Sequence, residues 1–511
     1  MEWHILNAVI LVGYLVLLVC LGYFFSTRRS NSNDYFVGGH RIPAWVAACS
    51  VYATALSSIS YVAITSNVYR NGWMSGVGVL GVLPLVFLVA HYFVPFIRRI
   101  NCVTAYEYLE ARFDRNMRFL ASAIFILFHI MRIGVVIFIP TLVFIEVLPQ
   151  VDPLILIAVM GLLCVIYTTI GGFEAVVWSD TIQTFVLIGA AILVMGYGFI
   201  SVPEGVSAMG TLITDKKIFP AENFSFDPNI TTVWALFLGG FFGSIYQYIG
   251  SQDVVQRYSS TKNITEAKKI LYLQVPLLFV STIIFVGMGS SIYLFYKFSG
   301  VPAPVLANNN ALLPYFVIHQ LPMGVSGLVI AGIFAAAQST VSSSLNSTST
   351  CILVDFIAPF NKDLSDNNKI VYAQYVSWIT GIAGTLLAMI FVKQGQSDIY
   401  LFFNSILGLL GGPITGVFLL GIFSTKVGSK AVWIGFSCST LVALYLGNPG
   451  GLLNIIPGYM KPEIFGFLFA PLVIAACMIP GYVAALFIAA PSVVKINGLT
   501  YKSLVNQSDI K

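Results

Sequence analysis

Thirteen apolar runs divide the chain, at approximately 5–25, 43–64, 76–97, 119–148, 153–172, 178–201, 231–250, 271–297, 322–356, 370–392, 399–423, 428–447 and 464–490. Each is long enough to cross a hydrocarbon core of roughly 30 Å. No linker, charge block or low-complexity tract separates one part of the chain from another. The pattern therefore predicts an all-α membrane protein of about thirteen transmembrane helices, one domain over 1–511. The first run has no basic residue ahead of it and Arg28 and Arg29 behind it, the reverse of a cleavable signal, so it should stay as a helix.

Polar residues inside the runs carry the chemistry. Ala335 to Ser347 reads AAAQSTVSSSLNS, and on a helix Ser339, Ser342, Ser343 and Asn346 fall at i, i+3, i+4 and i+7. Hydroxyl oxygens without His or Cys suit an alkali cation better than a transition metal. Taken as letters alone, the same run also suits close helix packing and hydroxyls bonded to their own backbone. Arg132 stands in the middle of the fourth run, within FHIMRIGVV. A charge at membrane depth costs about 2.5 kcal/mol or more, so it needs a partner. An anionic substrate fits the guanidinium fork; a buried acid such as Asp180, or backbone carbonyls, would serve as well. Asp180, where WSDTIQTF enters the sixth run, is either an interfacial acid or a hard ligand for a second cation.

The second run, AACSVYATALSSISYVA from Ala47 to Ala63, is rich in small and hydroxyl residues that weaken a helix. An unwound turn there would free carbonyls for an ion and N–H groups for an anion. The seventh run repeats the theme with GGFFGS, Gly239 to Ser244. Two interrupted helices, each leading a block of five, are the pattern of an inverted repeat of five plus five helices, a geometry borrowed from the leucine-transporter type. The expected organisation is an extra N-terminal helix and loop over 1–42, a first repeat over 43–201, a second over 231–423, and C-terminal helices and tail over 424–511.

Composition agrees: 58% of residues are hydrophobic, 9% are charged, and the mean hydropathy is +0.87. Loops on one side of the expected topology hold 19 Lys and Arg, those on the other 6: Arg70, Lys216, Lys217, Lys297, Lys393 and Lys461. The positive-inside rule then places the N-terminus outside and the C-terminus in the cytoplasm. The net charge of +5 mostly reflects this asymmetry and implies no nucleic-acid partner. The seven Cys are scattered without CxxC spacing, and GVGVLG from Gly76 lies in an apolar run with no preceding strand, which makes it helix packing or a bend. His129, one turn before Arg132, is expected to pack rather than relay protons. No nucleophile–base pair or metal cage points to an enzyme. A channel would need a polar path, whereas the polar positions cluster at one depth.

Five segments together resemble the sodium/solute symporter family: DYFVGGHRIPAWVA (Asp34 to Ala47), TAYEYLEARFD (Thr104 to Asp114), IGGFEAVVWSDTIQ (Ile170 to Gln183), SQDVVQRY (Ser251 to Tyr258) and AAAQSTVSSSLNS. Within it, FHIMRIG and YATALSSIS are most similar to the bacterial sodium-coupled sialic acid transporters. The resemblance implies a secondary active symporter of the bacterial plasma membrane, working as a monomer among lipid and importing a small carboxylate, sialic acid foremost, with Na+. Proline, pantothenate or a neutral sugar are the alternative cargoes. It further implies a first sodium site on Ala53, Leu56, Ala336, Ser339 and Thr340, a second on Asp180, Ser342 and Ser343, and a substrate carboxylate held by Ser57, Ser60 and Arg132. Ala55, where a hydroxyl residue is expected, and a short stretch from Trp73 to Pro84 depart from that pattern on the sugar side.

Overall fold

A computed structural model describes residues 5–27, 31–100, 102–147, 150–306, 309–361, 363–394, 399–448, 453–454 and 464–503. Arg28, Arg29, Lys362, Lys461 and Lys511 of the charge count lie outside the described residues. The principal helices are α1 (Ile5–Ser26), α2 (Ala44–Ala55), α3 (Ser60–Asn71), α4 (Gly76–Ile100), α5 (Ala105–Arg112), α6 (Arg115–Val147), α7 (Pro153–Ile200), α8 (Val233–Gly250), α9 (Gln252–Ser259), α10 (Ile264–Phe298), α11 (Leu312–His319), α12 (Val325–Ile357), α13 (Asp366–Gln394), α14 (Ile399–Phe423), α15 (Ser429–Gly447) and α16 (Gly466–Phe487). α12 packs against α1, α2, α6, α7 and α13 and is the most buried span, with 89% of its apolar window inside the protein.

Among the described residues, eleven helices are long and apolar enough to cross a membrane, and the bent pair α2–α3 would make twelve. The expected thirteen is therefore not reached by length and composition. The fifth run is the first arm of α7, helical over 153–171, about 28 Å at 1.5 Å per residue. It leads into the rest of α7 through Gly172, whose φ of 68° and ψ of −168° bend the chain there.

The interruption expected in the second run is present. α2 and α3 meet at 63° across Leu56, whose φ of −98° and ψ of 89° leave helical geometry. The second interruption is not where GGFFGS placed it. α8 runs helical through Gly239–Ser244 and ends at Gly250, and Ser251 (φ −94°, ψ 118°) separates it from α9. The glycines serve contact instead: a Cβ on Gly240 would lie 2.0 Å from the Gly78 carbonyl oxygen, and one on Gly81 would lie 2.3 Å from that of Phe237. The GVGVLG stretch is accordingly a packing surface, as its apolar context implied.

The segment 251–270 is not simply a loop. Every residue of α9 is buried, so Arg257 leaves the loop charge count, and Arg112 is buried as well. α5, the TAYEYLEARFD segment, explains why. Ala105 N–H donates to Gln252 Oε1 (2.9 Å), Gln252 Nε2 donates to the Val103 carbonyl (2.8 Å), and the Tyr106 hydroxyl donates to that of Gly250 (2.8 Å). Arg112 donates to the carbonyls of Gly421, Ser424 and Val427. Such a clasp lets polar backbone sit inside the bundle without water.

The α4–α8 contact makes Gly240→Val a direct test of this packing. It should cost at least 1–3 kcal/mol, roughly what overpacking a filled interface does. A clear fall in the melting temperature of the purified protein is expected, whereas Gly243→Ala, whose Cβ would meet only Ala470 at 3.8 Å, should leave it near wild type.

Candidate functional site

Hydroxyls on α12 divide into two uses. Ser342, Ser347, Ser349 and Thr350 donate to carbonyls of their own helix, at Ser339, Ser343, Asn346 and Asn346. Others reach across. The Ser339 hydroxyl donates to the Ala53 carbonyl at 3.0 Å and lies 3.2 Å from that of Ala336, with Thr340 3.3 Å from the same oxygen. Ala53, Ala336, Ser339 and Thr340 thus form one oxygen-rich contact between α12 and the end of α2, and Leu56 begins the break three residues on. All four are buried. These are neutral hard oxygens, the donor type that suits an alkali cation.

One turn along α12, Ser343 and Thr54 place their hydroxyl oxygens 2.9 Å apart. Ser343 also donates to Asp180 Oδ2 (3.2 Å), which accepts from Ser50 (2.5 Å) and from Arg257 Nη2 (3.0 Å). Asp180 Oδ1 is buried without a partner. Asp180 and Ser343 are therefore brought together as expected, while the Ser342 hydroxyl bonds within its own helix. Asp180 is not the interfacial acid that its place at the start of a run allowed: it is fully buried and ion-paired to Arg257.

Arg132 is 1% exposed and has two partners. Nη1 meets Asp253 Oδ2 at 3.0 Å, and Nη2 donates to the Thr54 carbonyl. Of the three answers that the sequence left open, a buried acid and a backbone carbonyl are both present, but the acid is Asp253 and not Asp180. Nε remains buried with no partner. Ser58, one turn beyond Thr54, donates to the Val136 carbonyl (3.1 Å), one turn beyond Arg132. The unwound turn is thus stapled to α6 at two levels. Ser57 accepts from the Ile59 N–H (3.2 Å) at the start of α3, and Ser60 is partly exposed beside it. His129 is buried, with ring nitrogens 3.0 Å from the Ser344 hydroxyl and 3.3 Å from that of Ser251.

Asp253, Arg257 and Ser50 were not singled out from sequence, and Thr54 only as a β-branched residue that weakens a helix. An acid and an arginine four residues apart in a segment that otherwise read as loop was the available signal, because i and i+4 share a helix face.

The sodium:solute symporter family model matches residues 35–436, most of the chain. The chain belongs to the sodium:solute symporter family. Among proteins to which this symporter is similar is the sodium/sialic acid symporter NanT of Aliivibrio fischeri, 37% identical over 90% of this chain and 93% of that protein. The sodium/sialic acid symporter SiaT of Proteus mirabilis is 37% identical over 92% and 96%. A solved structure of a Na+-coupled sialic acid symporter in a substrate-bound outward-open state aligns with a TM-score of 0.86, at 34% identity, over 95% of this chain and 99% of that one. The fold is that of a multi-pass transporter with the break geometry described above.

Arg257→Met would leave Asp180 charged and buried without its arginine, and should lower stability by about 3–5 kcal/mol. Adding Asp180→Leu should recover much of that loss. Thermal melts of the two single variants and the double variant give the coupling directly.

Proposed function

We propose that this symporter is a secondary active importer that couples Na+ to a small carboxylate, sialic acid (N-acetylneuraminate) first among them. The observation that carries the carboxylate is Arg132: a buried guanidinium beside the unwound turn of α2–α3, with Nε unengaged. A carboxylate there would meet a donor fork together with the Ser57 and Ser60 hydroxyls at the N-terminal end of α3, where the helix dipole also favours an anion. The likeness to NanT and SiaT over nearly the whole chain supports sialic acid as the cargo.

In this reading a first Na+ takes Ala53, Leu56, Ala336, Ser339 and Thr340, and a second takes Asp180, Ser342 and Ser343. In a chain organised as repeats 43–201 and 231–423, sodium between α12 and the broken helix fixes one relative position of two helical bundles and raises affinity for the anion beside the break. Reciprocity requires the anion to raise sodium affinity equally. Rocking the bundles then exchanges access. Two Na+ with one monoanion move one positive charge inward, worth about 2.3 kcal/mol per 100 mV of membrane potential. Import is oriented by an outside N-terminus and a cytoplasmic C-terminus in a bacterial plasma membrane.

Two measurements check this reading. Ser339→Ala with Thr340→Ala deletes two oxygens at little cost in helix propensity. It should abolish sodium-dependent uptake into proteoliposomes while membrane insertion stays intact; sodium dependence that survives would take the site off α12. Wild-type protein should also prefer sialic acid over its methyl ester by at least tenfold, since an unpaired buried donor costs roughly 1–3 kcal/mol. Arg132→Ala should lose that preference, and Arg132→Lys should fail badly because an ammonium lacks the planar two-point geometry. Equal wild-type affinity for acid and ester would leave a neutral sugar, or another uncharged cargo, as the better reading.

A further inference from the structure

α9 carries two charges one turn apart, and each faces the opposite charge at a proposed ligand position. Asp253 Oδ2 engages Arg132, where the substrate carboxylate is proposed to sit. Arg257 Nη2 engages Asp180, where the second sodium is proposed to sit. Both α9 side chains are held rigidly. Asp253 Oδ1 accepts from the Ser251 hydroxyl (2.5 Å) and the Val254 N–H (2.9 Å), while Arg257 donates to Ser50 (2.7 Å), Ser343 (2.5 Å) and the Asp253 carbonyl. The four charged side chains are buried together, two positive and two negative, and the set is neutral.

Two valences stay open within this set, and they have opposite character. Arg132 Nε is a donor and Asp180 Oδ1 an acceptor, both buried without partners. A carboxylate on the first alone would leave the cluster with one negative charge in excess, and a sodium on the second alone would leave one positive charge. An uncompensated charge in a low-dielectric interior is expensive, and a balanced pair is not. Either ligand therefore prepares the site for the other, and reciprocity makes the effect equal in both directions. The i, i+4 spacing fixes the two counter-ions on one turn of one short helix, so displacing one moves the other.

We infer that Asp253 and Arg257 act as internal counter-ions to the substrate carboxylate and the second sodium, and that α9 couples the two ligands by charge balance. The inference rests on the proposed function. Neither residue touches a ligand in this scheme; both are positioning residues.

Opposite shifts in two variants test it, with binding of N-acetylneuraminate and of Na+ measured on purified full-length protein, choline replacing sodium where sodium is omitted. Asp253→Asn leaves the cluster one charge positive, so N-acetylneuraminate should bind at least tenfold tighter than in wild type without sodium, and sodium should enhance it at least tenfold less. Arg257→Gln leaves the cluster one charge negative, so sodium should bind at least tenfold tighter in the absence of N-acetylneuraminate. A merely structural role predicts weaker binding of both ligands in both variants, and that parallel loss, or no shift in either, overturns the inference. Should neither variant fold, the wild type still decides: deuterium uptake by the 252–259 segment should fall with both ligands by more than the sum of their separate effects, and unaltered uptake overturns the coupling role. The acid-over-ester preference of the wild type is read in the same assay. Its absence would sink the proposed function, whereas its presence with failed shifts would sink only the coupling through α9.

Discussion

Charges held at membrane depth must be neutralised where they stand, and that constraint organises the centre of this protein. Arg132 on α6, Asp180 on α7, and Asp253 and Arg257 on α9 lie buried together, and each has an opposite charge within 3.0 Å. Three separate helices are locked by two ion pairs. Stability is not the obvious gain, because a buried pair replaced by well-packed apolar side chains is often as stable or more so. What the pairs supply is a polar, charge-balanced interior at the depth where α2 gives way to α3. A carbonyl released by that break, Thr54, is capped by Arg132. The break and the charges therefore depend on each other: without the guanidinium an unwound turn would leave backbone oxygen unsatisfied in a dry interior.

α12 is the second half of this arrangement. Buried on nearly all sides, it turns most of its hydroxyls back onto its own carbonyls, while Ser339, Ser343 and Ser344 reach neighbouring helices and the Thr348 hydroxyl is buried without a partner. The crossing hydroxyls, Ser339 to the Ala53 carbonyl and Ser343 to Thr54 and Asp180, bind α12 to the end of α2 and to α7 by single hydrogen bonds. These are contacts that a cation could strengthen and whose loss could free the two elements to move. Where packing must be permanent, the chain uses glycine instead: α4 and α8 approach so closely at Gly78 and Gly240 that no side chain fits between them.

Single-residue anomalies in the sequence proved informative because membrane burial tolerates few of them. A lone arginine inside FHIMRIGVV had to have a partner, and it has an acid and a carbonyl; the band of hydroxyls on an apolar run divides between its own helix and neighbouring helices. Local reading failed where two runs had to be compared. GGFFGS resembles a helix break as letters, yet glycine is equally the residue of close helix contact, and only the position of α4 tells the two apart. Between the fifth and sixth runs the chain does not leave the helix for a loop but only bends, at Gly172.

The apolar runs by themselves determined that the chain is a helical membrane protein, where most helices lie, and which polar residues fall inside them; the interruption of the second run was legible only in its small and hydroxyl residues. Those properties follow from the solvent each segment must meet, and solvent preference is written locally. Tertiary structure alone decided the partners. Arg132 finds its acid 121 positions away and Arg257 finds its own 77 positions away. The eight residues of α9 are too short and too charged to announce themselves as interior, and are buried only because other helices bring them counter-charges. Pairing of that kind depends on which surfaces meet after packing, and no local pattern contains it.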